Sequence, residues 1–333
     1  MNTTSCQSIY FSFQTRFLPP VYVLVFIIGL VANGWGLKSL KHNWKKLGNI
    51  SIFVLNLGLA DVLYLLTLPF LIIYYYFTGT KWIFGVAFCK FTRFCFNVNL
   101  YCSIGFLTCI SVYRYLAIVH PMRVMGRLTV THSVAISVLV WLLVSVQSLP
   151  DMVFPKTLSN QTEKCFDTTS EEYVEDYLKY SLGWTFVGFC LPSLIILGCY
   201  GHVIVFLCYK KNIDEVLKQR SLKYLMVLIL LFSVCYIPYH VLKNLNLLSR
   251  VLTKHKICHE WSNGVYIAHQ ICRGVVCLNS ALNPLVYLHV NENIFTQLRH
   301  FLQRICFSVM ELSSSSQQAV VLEMHTKESG LQQ

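Results

Sequence analysis

Seven apolar stretches, each long enough to cross about 30 Å of hydrocarbon as a helix, constrain this chain more than any other feature. They run from Leu18 to Leu40, Ile50 to Phe77, Cys89 to Val119, Ser133 to Phe154, Tyr180 to Cys208, Leu222 to Arg250 and Gly264 to His289. With 55% hydrophobic and only 13% charged residues among 333, a soluble fold has no way to hide so much apolar surface. Backbone amides in lipid must be satisfied within their own segment, so the pattern predicts an all-α membrane protein: one seven-helix bundle. Short connections make residues 18–305 a single domain, flanked by an amino-terminal segment, 1–17, and a tail, 306–333.

Basic residues orient the bundle. The loops after the first, third and fifth spans carry Lys41, Lys45, Lys46, Arg123, Arg127, Lys210, Lys211, Lys218, Arg220 and Lys223. The loop after the fourth carries Glu163, Asp167, Glu171, Glu172, Glu175 and Asp176 instead. Positive loops stay in the cytoplasm, which predicts a multi-pass plasma-membrane protein with its amino terminus outside. The net charge of +12 is then a topology signal facing lipid headgroups, and a nucleic-acid groove is the weaker reading. Residues 1–17 show no signal-peptide pattern, so the first span is expected to be an uncleaved anchor. Glycosylation sequons at Asn2 and Asn160 fall outside and agree with this orientation; a third, at Asn49, falls inside and should stay bare.

Fourteen cysteines reduce to four in segments facing an oxidising compartment: Cys6, Cys89, Cys165 and Cys258. Four allow three pairings, and the residues alone do not choose among them. No Cys or His spacing resembles a zinc site. After the last span, Ile294, Phe295, Leu298, Phe301, Leu302 and Ile305 recur at helical spacing beside Arg299, His300 and Arg304, which predicts a short amphipathic helix in the membrane interface. Cys306 beyond it is either a palmitoylation site or a plain juxtamembrane cysteine. The polar tail, with Ser313 to Ser316, reads as disordered and open to phosphorylation, a means of engaging arrestin.

Function is indicated by three cations inside apolar spans: Arg93, Lys243 and Arg273, each near the outer end. A cation there costs roughly 3 kcal/mol on insertion scales, so three converging on one site imply an anionic partner. Helical spacing puts His269, Gln270 and Arg273 on one face, as it does His240 with Lys243 and Arg93 with Asn97 and Tyr101. Arginine grips an oxyanion with two parallel donors, while lysine acts as a point charge. The competing reading for a single cation is that it snorkels to headgroups. Tyr101 and Phe96 suit either stacking on a base or ordinary packing.

The motifs, taken in order, are Asp61 within Leu57-Gly58-Leu59-Ala60-Asp61, Tyr113-Arg114-Tyr115 with His120-Pro121, Trp141, Pro192, Cys235-Tyr236-Ile237-Pro238, and Asn279-Ser280-Ala281-Leu282-Asn283-Pro284 through Tyr287. From Asn33 to Phe301 the chain resembles the rhodopsin-like (class A) G-protein-coupled receptors. The resemblance implies a heterotrimeric G protein engaging Tyr113, Arg114 and Tyr287, and hinges at Pro238 and Pro284. It also implies a sodium ion at Asp61 with Asn33, Ser103, Asn279 and Asn283; a purely hydrogen-bonded polar cluster is the alternative. No other cofactor is implied. Two departures stand out: Tyr113 replaces the acid that usually pairs with the arginine, and Tyr236 replaces a common tryptophan.

The stretches Arg93 to Tyr101, Tyr239 to Leu247, Val265 to Gly274 and Cys165 to Tyr173 look like the metabotropic purinoceptors, especially the ADP-responsive branch. That likeness implies disulfides Cys89–Cys165 and Cys6–Cys258. It further implies an extracellular nucleotide bound by Arg93, Asn97, Tyr101, Asp167, His240, Lys243, His269, Gln270 and Arg273, with Gq-type coupling and calcium release. Asn97 and His269 depart from the nearest pattern, where histidine and tyrosine are expected, so a related receptor class for small dicarboxylates such as 2-oxoglutarate is the rival. An anion channel or transporter would show repeats or broken helices, and none is evident. No nucleophile paired with a base is visible, which argues against an enzyme.

Overall fold

A computed structural model of the chain describes residues 12–78, 80–121, 129–155, 164–165, 167–209, 215–257 and 259–284. Cys6, Cys258, Asn2, Asn160, Tyr287, Cys306, the 291–305 stretch and the tail lie outside the described residues. Within them the regular elements are helices: α1 Ser12–Leu47, α2 Ile50–Leu65, α3 Leu68–Tyr76, α4 Val86–Val119, α5 Val130–Val153, α6 Val174–Thr185, α7 Leu191–Tyr209, α8 Glu215–Lys254 and α9 Trp261–Leu282. Helices α2 with α3, and α6 with α7, form single bent rods, giving seven in all.

Five of these rods are long and apolar enough to cross a membrane: Phe13–His42, Ile50–Tyr76, Val86–Val119, Val130–Val153 and Val174–Tyr209. The seventh rod, α9, carries His269, Gln270, Arg273 and Asn279 in a short described length, which dilutes its apolar character. Leu139, Leu142, Leu143 and Val146 on α5, and Leu194 and Ile195 on α7, face outward and exposed. Such a surface is tolerable only where hydrocarbon, not water, is the solvent. Helix α4 is the central post, packing against α2, α5 and α7, while α9 packs against α1 and α8.

Helix ends overshoot the apolar stretches. Helix α1 starts at Ser12 where the apolar pattern starts at Leu18, and α6 starts at Val174 where it starts at Tyr180. A membrane helix continues into the polar interface as long as its amides stay paired, so apolarity marks the hydrocarbon and not the helix. The second stretch, expected to be continuous from Ile50 to Phe77, breaks between Leu65 and Leu68. Pro69 lacks the N–H that would bond the Leu65 carbonyl, and Thr67 Oγ1 donates to the Tyr64 carbonyl at 2.7 Å instead.

The fifth rod bends for the same reason. Pro192 provides no donor for the residue four back, and a π turn, Phe186–Cys190, takes up the slack, with Leu191 N–H reaching the Phe186 carbonyl. Gly188 in that turn allows close approach: a Cβ there would sit 2.5 Å from Gln147 Nε2 and 2.9 Å from the Tyr101 ring. At one end of the bundle the Cys89–Cys165 disulfide, Cα atoms 5.8 Å apart, ties the α5–α6 connection to the start of α4. That end is called the disulfide end below.

Candidate anion site

The disulfide places Asp167, two residues beyond Cys165, over the mouth of the bundle. Its carboxylate lies between two guanidinium groups. Arg93 Nη1, from α4, approaches Oδ1 at 3.0 Å, and Arg273 Nη1, from α9, pairs with Oδ2. Both arginines are almost wholly buried, at 2% and 3% exposure, so these are desolvated charges and not rim contacts. Arg93 Nη2 also donates to the Cys165 carbonyl at 3.1 Å, binding the cation to the disulfide itself. The Arg273 guanidinium lies 5.5 Å from the Phe96 ring centroid, within cation–π range.

Gln14, at the start of α1, completes the cluster. Its Nε2 donates to Asp167 Oδ2 at 3.2 Å and to Tyr75 Oη at 2.6 Å, and its Oε1 accepts from Tyr266 Oη at 2.8 Å. One amide thereby joins the first, second and seventh rods to the loop carboxylate. Asp167 lies outside the spans. Burial by itself would raise its pKa, but Arg273 and Arg93 outweigh burial and hold the carboxyl down at about 2.

The cavity beneath is lined by Arg93, Phe96, Asn97, Asp167, Thr168, Tyr177, Tyr239, Lys243, His269 and Arg273. Six of the nine residues expected to meet the ligand therefore share one wall: Arg93, Asn97, Asp167, Lys243, His269 and Arg273. Tyr101, His240 and Gln270 do not line it. His240 is fully buried, stacks on Phe189 at 4.3 Å between centroids, and neighbours Tyr101 at 5.8 Å. Sharing a helical face with Lys243 was insufficient, because α8 turns that face partly toward the π turn of the fifth rod. Gln14, Thr168 and Tyr177 were missed: Gln14 and Tyr177 precede the apolar stretches of their helices, where sequence patterning is silent.

Asp61, deep in the bundle, has a different set of partners. Asn283 Nδ2 donates to both its oxygens at 3.0 Å and Asn99 Nδ2 donates to Oδ1 at 2.8 Å. Ser280 Oγ donates to Asn99 Oδ1 at 2.9 Å. Asn279 donates to Tyr236 Oη and, at 3.1 Å, to Asn283 Oδ1, while Asn33 binds the Ser280 and Gly29 carbonyls at 2.9 Å. Ser103 Oγ accepts a longer contact from Asn283 at 3.4 Å. A hard cation needs oxygen ligands. These amides point nitrogen at the carboxylate, so the arrangement fits the hydrogen-bonded cluster and not a sodium ion.

At the opposite end of α4, Tyr113 packs against the main core, and Arg114 is half-buried beside it. Tyr115 Oη lies 3.2 Å from His202 Nδ1 and 3.5 Å from His120 Nε2. Ser111 Oγ donates to Tyr200 Oη at 2.6 Å, coupling the third and fifth rods.

A membrane bundle with two buried arginines clamping one carboxylate at its mouth defines an anion-recognition protein built from helices. The family model described as 7 transmembrane receptor (rhodopsin family) matches residues 39–287. Purinoceptor 1 of Homo sapiens, a metabotropic nucleotide receptor by name, is 43% identical over 288 residues, covering 86% of this chain and 77% of that protein. The Gallus gallus purinoceptor 1 is 42% identical over 298 residues, covering 89% and 82%. A Rattus norvegicus protein named 2-oxoglutarate receptor 1 is 34% identical over 307 residues, covering 92% and 88%. The chain belongs to the rhodopsin family of G-protein-coupled receptors, in its metabotropic purinoceptor group. It is thus a multi-pass membrane receptor of a family that transduces signals and does not catalyse reactions.

Proposed function

We propose that this chain is a plasma-membrane receptor, amino terminus and disulfide end outside, for an extracellular adenine nucleotide such as ADP, signalling through a heterotrimeric Gq-type protein to calcium release. The supporting observation is that Arg93 and Arg273, from the third and seventh rods, converge on a single carboxylate. An oxyanion that replaces Asp167 between them gains two forked donors while Lys243, on the same wall, adds a point charge. Asn97 and His269 line the same wall, and Phe96 offers its ring to the cation or to a base.

Activation follows as a population shift. The anion draws the outer ends of α4, α8 and α9 together, and Pro238 within α8 lets the other half swing, opening the Arg114 end to the G protein. No step is routed through sodium. The domain limits 18–305, glycosylation at Asn2 and Asn160, the Cys6–Cys258 bridge, a role for Tyr287, and arrestin binding through the tail belong to the same proposal.

A dicarboxylate is the second reading. The group held between the arginines is itself a carboxylate, and one relative is named a 2-oxoglutarate receptor. A calcium-release panel of ADP, ATP, UTP, UDP, 2-oxoglutarate and succinate on cells expressing the chain separates the two. ADP as the most potent agonist supports the first reading; a response confined to 2-oxoglutarate or succinate replaces it with the second.

A further inference from the structure

Asp151 stands at the disulfide end of α5 with no solvent exposure at all. A carboxylate is costly to bury unless it is paired, and one in a membrane bundle marks a functional arrangement. Its partner is Tyr177, on the first turn of α6, whose Oη donates to Asp151 Oδ1 at 2.6 Å. Tyr177 is 1% exposed, and its ring forms part of the anion cavity wall. The Lys243 ammonium lies 6.0 Å from that ring's centroid. A phenol donating to a carboxylate becomes more electron-rich, and its ring attracts a cation more strongly.

The surroundings fix this geometry on both sides. Phe154 meets the Tyr177 ring edge-on at 5.0 Å, and Tyr180 Oη donates to the Gln147 carbonyl at 2.8 Å, a second tie between α5 and α6 one turn from Asp151. Beside Lys243, Asn244 accepts from Ser181 Oγ at 2.8 Å and donates to Thr185 Oγ1 at 2.9 Å. Helices α6 and α8 therefore cannot slide past each other without breaking these bonds, and Tyr177 keeps its place against Lys243.

We propose that Asp151 and Tyr177 are a positioning pair for Lys243, extending the anion site from the third, sixth and seventh rods to the fourth and fifth. The proposal rests on the anion-receptor reading above and deepens it. Asp167 serves the two arginines, and Asp151, acting through the Tyr177 ring, sets the third cation.

A double-mutant cycle tests it, with two readouts at equal surface expression: potency of the best agonist of the six-anion panel, and ligand-free melting of the purified receptor. Asp151→Asn should weaken agonist potency about fivefold to tenfold in the wild-type background and less than about twofold in Lys243→Gln. Tyr177→Phe should match Asp151→Asn and add nothing to it. Melting shifts for Asp151→Asn and Lys243→Gln should likewise sum to more than the double variant shows. Equal potency losses in both backgrounds, or additive losses for Tyr177→Phe and Asp151→Asn, would overturn the pair. If Lys243→Gln changes the potency of no anion, the anion-receptor reading fails instead. The melting cycle then decides alone, and additive shifts sink the proposal.

Discussion

Asp167 and Arg273 form an ion pair across the mouth of the bundle, although 106 positions separate them in the chain, with Arg93 holding the other carboxylate oxygen. The ligand-free receptor thus carries an internal anion where an external one is expected to bind. Any agonist must compete with a carboxylate held in place by a disulfide, and that competition sets both affinity and selectivity.

Arg273→Ala should weaken agonist potency by at least about tenfold, because a charge-assisted hydrogen bond to a buried anion contributes roughly 1.5 to 3 kcal/mol. Lys243→Ala should act in the same direction. If the agonist is a nucleotide, Arg273→Lys should recover only part of the loss, since lysine retains charge without the fork. Concentration–response curves at matched surface expression check this, and unchanged potency in both alanine variants would contradict it.

Asp167→Asn removes the internal competitor and should raise agonist potency several-fold. The same change should lower ligand-free thermal stability, since breaking one side of a buried pair costs about 3 kcal/mol or more. Reduced potency together with unchanged melting would show that Asp167 contacts the agonist and does not compete with it.

The pH dependence of this contribution has a definite sign. Asp167 titrates at about 2 in the folded receptor against an ordinary 3.8, so its folded pKa is depressed. Its contribution, on the order of 2 kcal/mol, is fully present above about pH 4 and is lost as the pH falls toward 2. Melting of the purified receptor should therefore show no loss from this group between pH 8 and 5. The acid-side drop should shrink in Asp167→Asn, and an identical drop in both proteins would refute the assignment.

Tyr113 stands where an acid would pair with Arg114. Tyr113→Asp should create that ion pair and lower ligand-free signalling, because an opposite charge within about 4 to 6 Å favours the charged partner. Ligand-free signalling at matched expression measures the effect, and an equal or higher level would be the contrary result.

The apolar pattern by itself determined that this chain is a bundle of membrane helices, because hydrocarbon leaves the backbone no other way to satisfy its amides. The cost of cations in that solvent was enough to single out Arg93, Lys243 and Arg273. Three things required the tertiary structure. Whether a side chain faces the cavity depends on helix rotation and on kinks such as the π turn before Pro192, which is why His240 turns onto Phe189 and away from the wall. Residues beyond the apolar stretches, Gln14 and Tyr177, carry no periodic signal, yet a helix that continues into the interface brings them to the site. The pairing of Asp167 with two arginines and of Asp151 with Tyr177 is a long-range matter, settled where the disulfide and the packing of α5 on α6 bring distant charges into contact. Sequence reveals which solvent a segment needs, whereas only the packed bundle decides which buried charges meet.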